Sequence, residues 1–131
     1  MRVWAALPLR GVLGVVFIAH GLQKVAGLFG GPGIEGFSAM LSNLGFAPPV
    51  FWAYLVGYIE FLGGICLLIG AFTRIAAGLL FINMLVAMLK VHLSHGLFIS
   101  SGGYEYTLVI MSVCLSLIIQ GGGKLSLLKK L

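Results

Sequence analysis

The chain has 131 residues, of which 60% are apolar and only 8% charged, with a mean hydropathy of +1.15. Soluble domains carry about 25% charged residues, and a globule this small would leave much of its surface in water, so soluble enzyme folds are excluded and a single integral-membrane domain over residues 1–131 is expected. The formal net charge is +5; in a soluble protein that excess would suggest a nucleic-acid partner, but here its placement encodes topology and no nucleic acid is expected.

The first apolar segment runs from Leu7 to Leu28, up to Gly30-Gly31-Pro32-Gly33. It contains Arg10, His20 and Lys24 and lacks a small-residue cleavage site, so it reads as a retained span rather than a cleaved leader. In the loop that follows, Ile34, Phe37, Met40, Leu41 and Leu44 recur at helical spacing opposite Glu35, Ser38, Ser42 and Asn43. This predicts a short amphipathic helix stopped by Gly45, lying on the membrane surface as an anchor or as a lid. The second segment, Val50 to Ile69, follows Pro48-Pro49 and ends at Gly70. The third runs from Ala71 to Leu93, beginning beside Thr73-Arg74. The fourth, Tyr104 to Gln120, lies between Ser100-Ser101-Gly102-Gly103 and Gly121-Gly122-Gly123.

These segments are read as four helical spans, since backbone polar groups in lipid must pair within the segment and about 20 residues cross the hydrocarbon core. With the N-terminus in the cytoplasm, Arg2, Arg10, Arg74, Lys124, Lys129 and Lys130 fall inside and only Lys24 and Lys90 outside. The expected fold is therefore an all-α transmembrane four-helix bundle with both termini cytoplasmic, multi-pass in the cytoplasmic membrane of a bacterium or archaeon. The 20 glycines suit close approach of helices in lipid.

Ionisable residues at depth carry the chemical information in such a protein. Glu60 lies about 15 Å from the outer boundary and His20 about 12 Å, at the helical rise per residue. A carboxylate at that depth must pair, take up a proton or face a hydrated cavity. Gly57 and Gly64 share the face of Glu60, and Lys24 stands one turn beyond His20 on its face. Lys90, with Asn83 two turns below it, and Glu105 approach the same outer half from the third and fourth spans. One reading of the set is a polar zipper between helices, pairing Glu60 with Lys24 or Lys90 and Glu105 with a lysine. The other is a site for a proton-exchanging, lipid-soluble ligand such as a quinone, with His20 and Glu60 exchanging protons and Lys24, Asn83, Lys90 and Glu105 binding the ligand. His92 and His95 could join His20 and Glu105 on a metal ion, but no strong ligand spacing supports this and no metal is expected. Cys66 and Cys114 lie at depths that differ by about 9 Å, too far for a disulfide, and there is no CxxC pair. Arg10 and Arg74 read as anchors at the inner boundary.

Several motifs together resemble the DoxX family. They are Arg10-x-x-x-Gly14-x-x-Phe17-x-x-His20-Gly21-x-x-Lys24, Gly57-x-x-Glu60-x-x-Gly63-Gly64 continuing to Gly70-x-x-Thr73-Arg74, Lys90 followed by His95-Gly96-Leu97-Phe98, and Gly103-Tyr104-Glu105-Tyr106. The resemblance implies a small four-helix membrane protein of bacteria or archaea. It also implies a place near redox chemistry, since the family is named for a subunit of a thiosulfate:quinone oxidoreductase and other members are linked to quinone or thiol stress. By position it singles out His20, Lys24, Glu60 and Glu105. No flavin, haem or iron–sulfur motif is present, so electrons would come from a soluble redox partner protein or a diffusible reductant. The leading expectation is a membrane subunit of a quinone-linked oxidoreductase system, in lipid and as a monomer or homo-oligomer. The alternatives are a non-enzymatic scaffold recruiting partners through its basic tail, and a small-solute transporter.

Overall fold

The computed structural model describes residues 4–128, so Arg2, Lys129 and Lys130 of the charge argument lie outside the described residues. Among the described residues the fold is all-helical, with five α-helices: α1 (Ala6–Val25), α2 (Gly33–Asn43), α3 (Pro49–Ile69), α4 (Thr73–Ala87) and α5 (Glu105–Gln120). A π-helical turn, Met88–His92, and a short 3-10 turn, Leu93–His95, prolong α4. Counting that extension, α1, α3 and the helix Thr73–His95 are long and apolar enough to cross a membrane. α5, with 16 residues, spans about 24 Å at the α-helical rise.

Local chemistry sets the helix ends. α1 stops at Val25 because Gly27 takes φ +68°, and the Leu28 N–H returns to the Leu22 carbonyl. Its last turn thus ends three residues before the apolar run does. α3 opens with Pro49, whose missing N–H costs nothing in a first turn, and closes at Gly70 with the Ala71 N–H bonded to Cys66 O. The amphipathic pattern after the first segment does form a helix, α2, with Gly45 in the left-handed region just past its end.

Contact registers show the helices alternating in direction. α1 and α3 cross backbone to backbone: a Cβ on Gly14 would stand 2.8 Å from Gly64 O, and one on Gly21 2.6 Å from Phe61 N. Only glycine permits that approach. At the far end of the crossing Gly57 receives the Val25 side chain in the same way. The buried stripe Thr107, Ile110, Met111, Cys114 and Leu117 of α5 packs on α4, around Ala77, Leu80 and Met84. Phe17 and Leu67 tie the two pairs into one core. Cys66 and Cys114 are free thiols.

At one end of this bundle lie the α3–α4 turn and the segment following α5. Arg10 is 1% exposed there and donates to four carbonyls: Leu67 and Leu68 at the end of α3, and Lys124 and Leu125 of the tail. The tail also pairs with α3 through Leu127 N–H to Ile69 O and Leu128 N–H to Gly70 O. Arg10 thus joins the end of α3 to the segment after α5, a more specific role than boundary anchor. At the opposite end, α2 lies across α1 and α3, with Phe37 and Leu41 buried against Ala53.

Candidate functional site

Glu60 is the centre of the site. It is 2% exposed, and both oxygens of its carboxylate are taken. Lys24 Nζ from α1 donates to Oε2 at 2.6 Å, and Asn83 Nδ2 from α4 donates to Oε1 at 2.8 Å. Three helices therefore meet on one carboxylate. The arrangement follows from the glycine crossing: because Gly14, Gly21 and Gly64 bring α1 and α3 into backbone contact and Gly57 makes room for the Val25 side chain, a lysine one turn from His20 reaches a glutamate on the facing helix. Buried charge is tolerated only when paired and hydrogen-bonded, and here an ammonium and an amide meet that demand.

The ion pair borders a cavity of about 590 Å³ whose wall is mostly apolar. Its polar lining includes His20, Lys24, Glu60, Asn83, Lys90, His92, Tyr106 and Thr107. Size and composition match small-molecule sites, which are apolar clefts with a few placed polar groups. α2 contributes Phe37, Met40 and Leu41 to the wall, with Leu44 just past its end, and Lys24 Nζ stands 5.4 Å from the centroid of the Phe37 ring. That distance lies within the range of cation–π attraction, so the charge pair and the covering helix are in direct contact.

Of the residues singled out from sequence, His20, Lys24, Glu60, Asn83 and Lys90 all line this one cavity. Lys90 does so as an exposed residue on the π-helical turn. Glu105 is not brought in. Its Oε1 accepts the Ile99 N–H at 2.9 Å, which fixes the loop before α5, and it falls on the stripe of α5 continued by exposed Leu108, Val109 and Ser112. His92 binds the Gly102 carbonyl and His95 the Val91 carbonyl through Nδ1. Among the described residues no three His, Cys, Asp or Glu side chains gather at metal-binding distance.

Tyr106 is the site residue that sequence reasoning missed. Its ring centroid lies 6.4 Å from that of His20, and it lines the cavity. The available signal was its place one turn before Ile110 on the buried side of α5. An aromatic residue beside a predicted membrane boundary reads first as an interfacial anchor.

Comparison with known proteins places this geometry in a family. The family model described as DoxX matches residues 5–93, a stretch that holds His20, Lys24, Glu60, Asn83 and Lys90 but ends before Glu105 and Tyr106. The chain is also 32% identical over 111 residues to the protein named "Putative oxidoreductase CatD" from Bacillus subtilis (strain 168), covering 85% of this chain and 76% of that one. No solved structure matches. A family model over most of the chain, the relative that shares most of its length, and long apolar helices lead to one conclusion: this is a membrane protein and belongs to the DoxX family.

Proposed function

We propose that the chain is the membrane component of a quinone-linked oxidoreductase system and binds a quinone-like ligand in the cavity beside Glu60. The observation that carries the reading is the cavity itself: an apolar pocket whose polar edge is built from Lys24, His20, Tyr106 and Asn83 around a buried carboxylate. Its residues fit the group, because a planar ring fills an apolar cleft while its carbonyl oxygens require donors. The family and the relative's name as an oxidoreductase support the same direction.

A quinone, when bound, is the acceptor of two electrons and two protons. The work of this chain is to hold it and to manage charge. The Lys24 ammonium stabilises negative charge developing on a ligand oxygen, and Glu60 keeps that ammonium aimed and compensated. This differs from the proton-exchange role that depth alone suggests for Glu60, because both of its oxygens already accept hydrogen bonds. Proton donation then falls to His20 and to the Tyr106 hydroxyl, on adjacent rings at the cavity wall. Lys90 adds positive charge at the exposed part of the lining. In this reading all four apolar segments span the cytoplasmic membrane, the termini are cytoplasmic, and α2 lies on the outer surface over the site.

Titration of the purified protein with a benzoquinone, followed by quenching of tryptophan fluorescence, is the test. Trp52 lines the cavity and serves as reporter. His20→Ala and Glu60→Gln are each expected to weaken binding by about tenfold or more, the loss of a charge-assisted contact. Equal affinity in wild type and both variants would remove the assignment.

A further inference from the structure

The wall of the cavity is incomplete between α3 and α4. The two helices are in contact near their connecting turn, where a Cβ on Gly63 would stand 3.3 Å from the Leu80 side chain, and Asn83 ties α4 to Glu60 of α3. Around that tie, Leu55 of α3 and Leu79, Ile82 and Val86 of α4 line the cavity, and all four are also exposed on the outside of the protein, from 39% to 59%. A side chain that faces both the cavity and the exterior marks an opening. The three on α4 recur at i, i+3 and i+7, so they form one stripe along a helix long and apolar enough to span a membrane. The exterior they meet is then hydrocarbon, not water. Elsewhere in the lining the exposed residues, Met40, Lys90 and Tyr106, are single side chains on separate elements rather than a stripe, and Phe37 and Leu41 of α2 are buried over the cavity.

Lys24, Asn83 and Glu60 stand together at one wall, while the opening between α3 and α4 is framed by leucine, isoleucine and valine. We infer that the ligand enters sideways from the bilayer through this gap, and that it is an amphiphile: a compact, hydrogen-bond-accepting head at Lys24 joined to a hydrocarbon tail that leaves between Leu55 and the Leu79–Ile82–Val86 stripe. These four residues select for the tail. The inference rests on the quinone reading of the cavity and narrows it to membrane-dissolved quinones over water-borne ones.

The test uses the full-length protein in phosphatidylcholine nanodiscs and two probes, a dimethoxy-methyl-benzoquinone carrying a decyl tail and the same quinone without it. Leu79→Trp and Ile82→Trp fill the gap from its lipid side and leave the polar wall intact. Each is expected to weaken binding of the tailed quinone by about tenfold, the cost of forcing a tail past an overpacked channel, and to leave the tail-less one unchanged. If a tryptophan variant does not fold by circular dichroism, Val86→Phe makes the same comparison. Should both probes bind wild type and respond equally to these substitutions, or not at all, the lateral route is overturned while the quinone site stands. If neither probe binds wild type, the quinone reading falls and this inference with it.

Discussion

One carboxylate carries most of the polar organisation inside this protein. Glu60 satisfies two donors from two other helices, and each donor depends on it in turn. Replacing Asn83 by leucine leaves Oε1 without its donor and is expected to cost about 1–3 kcal/mol, seen as a lower Tm in detergent. Breaking a buried ion pair from one side costs about 3–5 kcal/mol, whereas removing both partners together is often nearly neutral. Lys24 is 20% exposed, so the lower end of that range applies. The double variant Lys24→Met/Glu60→Met is therefore expected to be more stable than Glu60→Met alone, and yet to bind no quinone. A double variant that is less stable than either single one would show that the pair is held by more than mutual compensation. The members of this cluster were legible in the sequence because charge within an apolar span needs a reason. Their pairing was only partly legible. The sequence offers Lys24 or Lys90 as the partner of Glu60, and Lys24 makes the contact, its long side chain reaching back along the helix, while Glu105 binds the Ile99 N–H rather than a lysine. For Arg10 the sequence shows a place but not the partners: its acceptors are backbone carbonyls of residues 67, 68, 124 and 125, and a carbonyl leaves no mark in a sequence.

At the scale of helices, glycines decide which pairs are intimate. Gly14 and Gly64 face each other across the α1–α3 crossing with no room for a side chain on either. Gly64→Leu must push the backbones apart, with an expected cost of about 1–3 kcal/mol from overpacking, occasionally more. Because the same crossing sets the reach of Lys24, quinone affinity should fall in parallel. Gly78→Leu is the control, since a Cβ there meets open space, and thermal denaturation of the two variants side by side checks the contrast. The α-helices themselves were legible from apolar run lengths and from the Gly and Pro residues at their ends. The rotation of α5 was not. It is set by the loop before it, where the Tyr104 N–H binds Gly96 O and the Glu105 N–H binds Leu97 O. That register turns Thr107 and Ile110 inward with Tyr106 at the cavity and leaves Glu105 on the loop side, so a motif of adjacent residues is split between two environments.

For the whole molecule, the proposed topology places α2 outside and the tail inside. In a background lacking Cys66 and Cys114, a cysteine at exposed Ser42 is expected to react with a membrane-impermeant maleimide on intact cells, and one at Leu127 only after permeabilisation. The reverse pattern would invert the orientation and place the cavity beneath the cytoplasmic surface. The Arg10 junction also bears on how the molecule comes to be. Arg10 belongs to α1, yet two of its four acceptors, Lys124 and Leu125, lie beyond α5 and are made well after it. Until the segment after α5 is made, α1 holds a guanidinium that lacks two of its four acceptors. Synthesis of the segment after α5 is thus felt at Arg10: a product cut short at Gly121 leaves that cation under-satisfied, as does a premature stop anywhere earlier. Such fragments are expected to be degraded by membrane proteases, and Arg10→Met in the truncated chain should prolong their lifetime in a pulse-chase measurement.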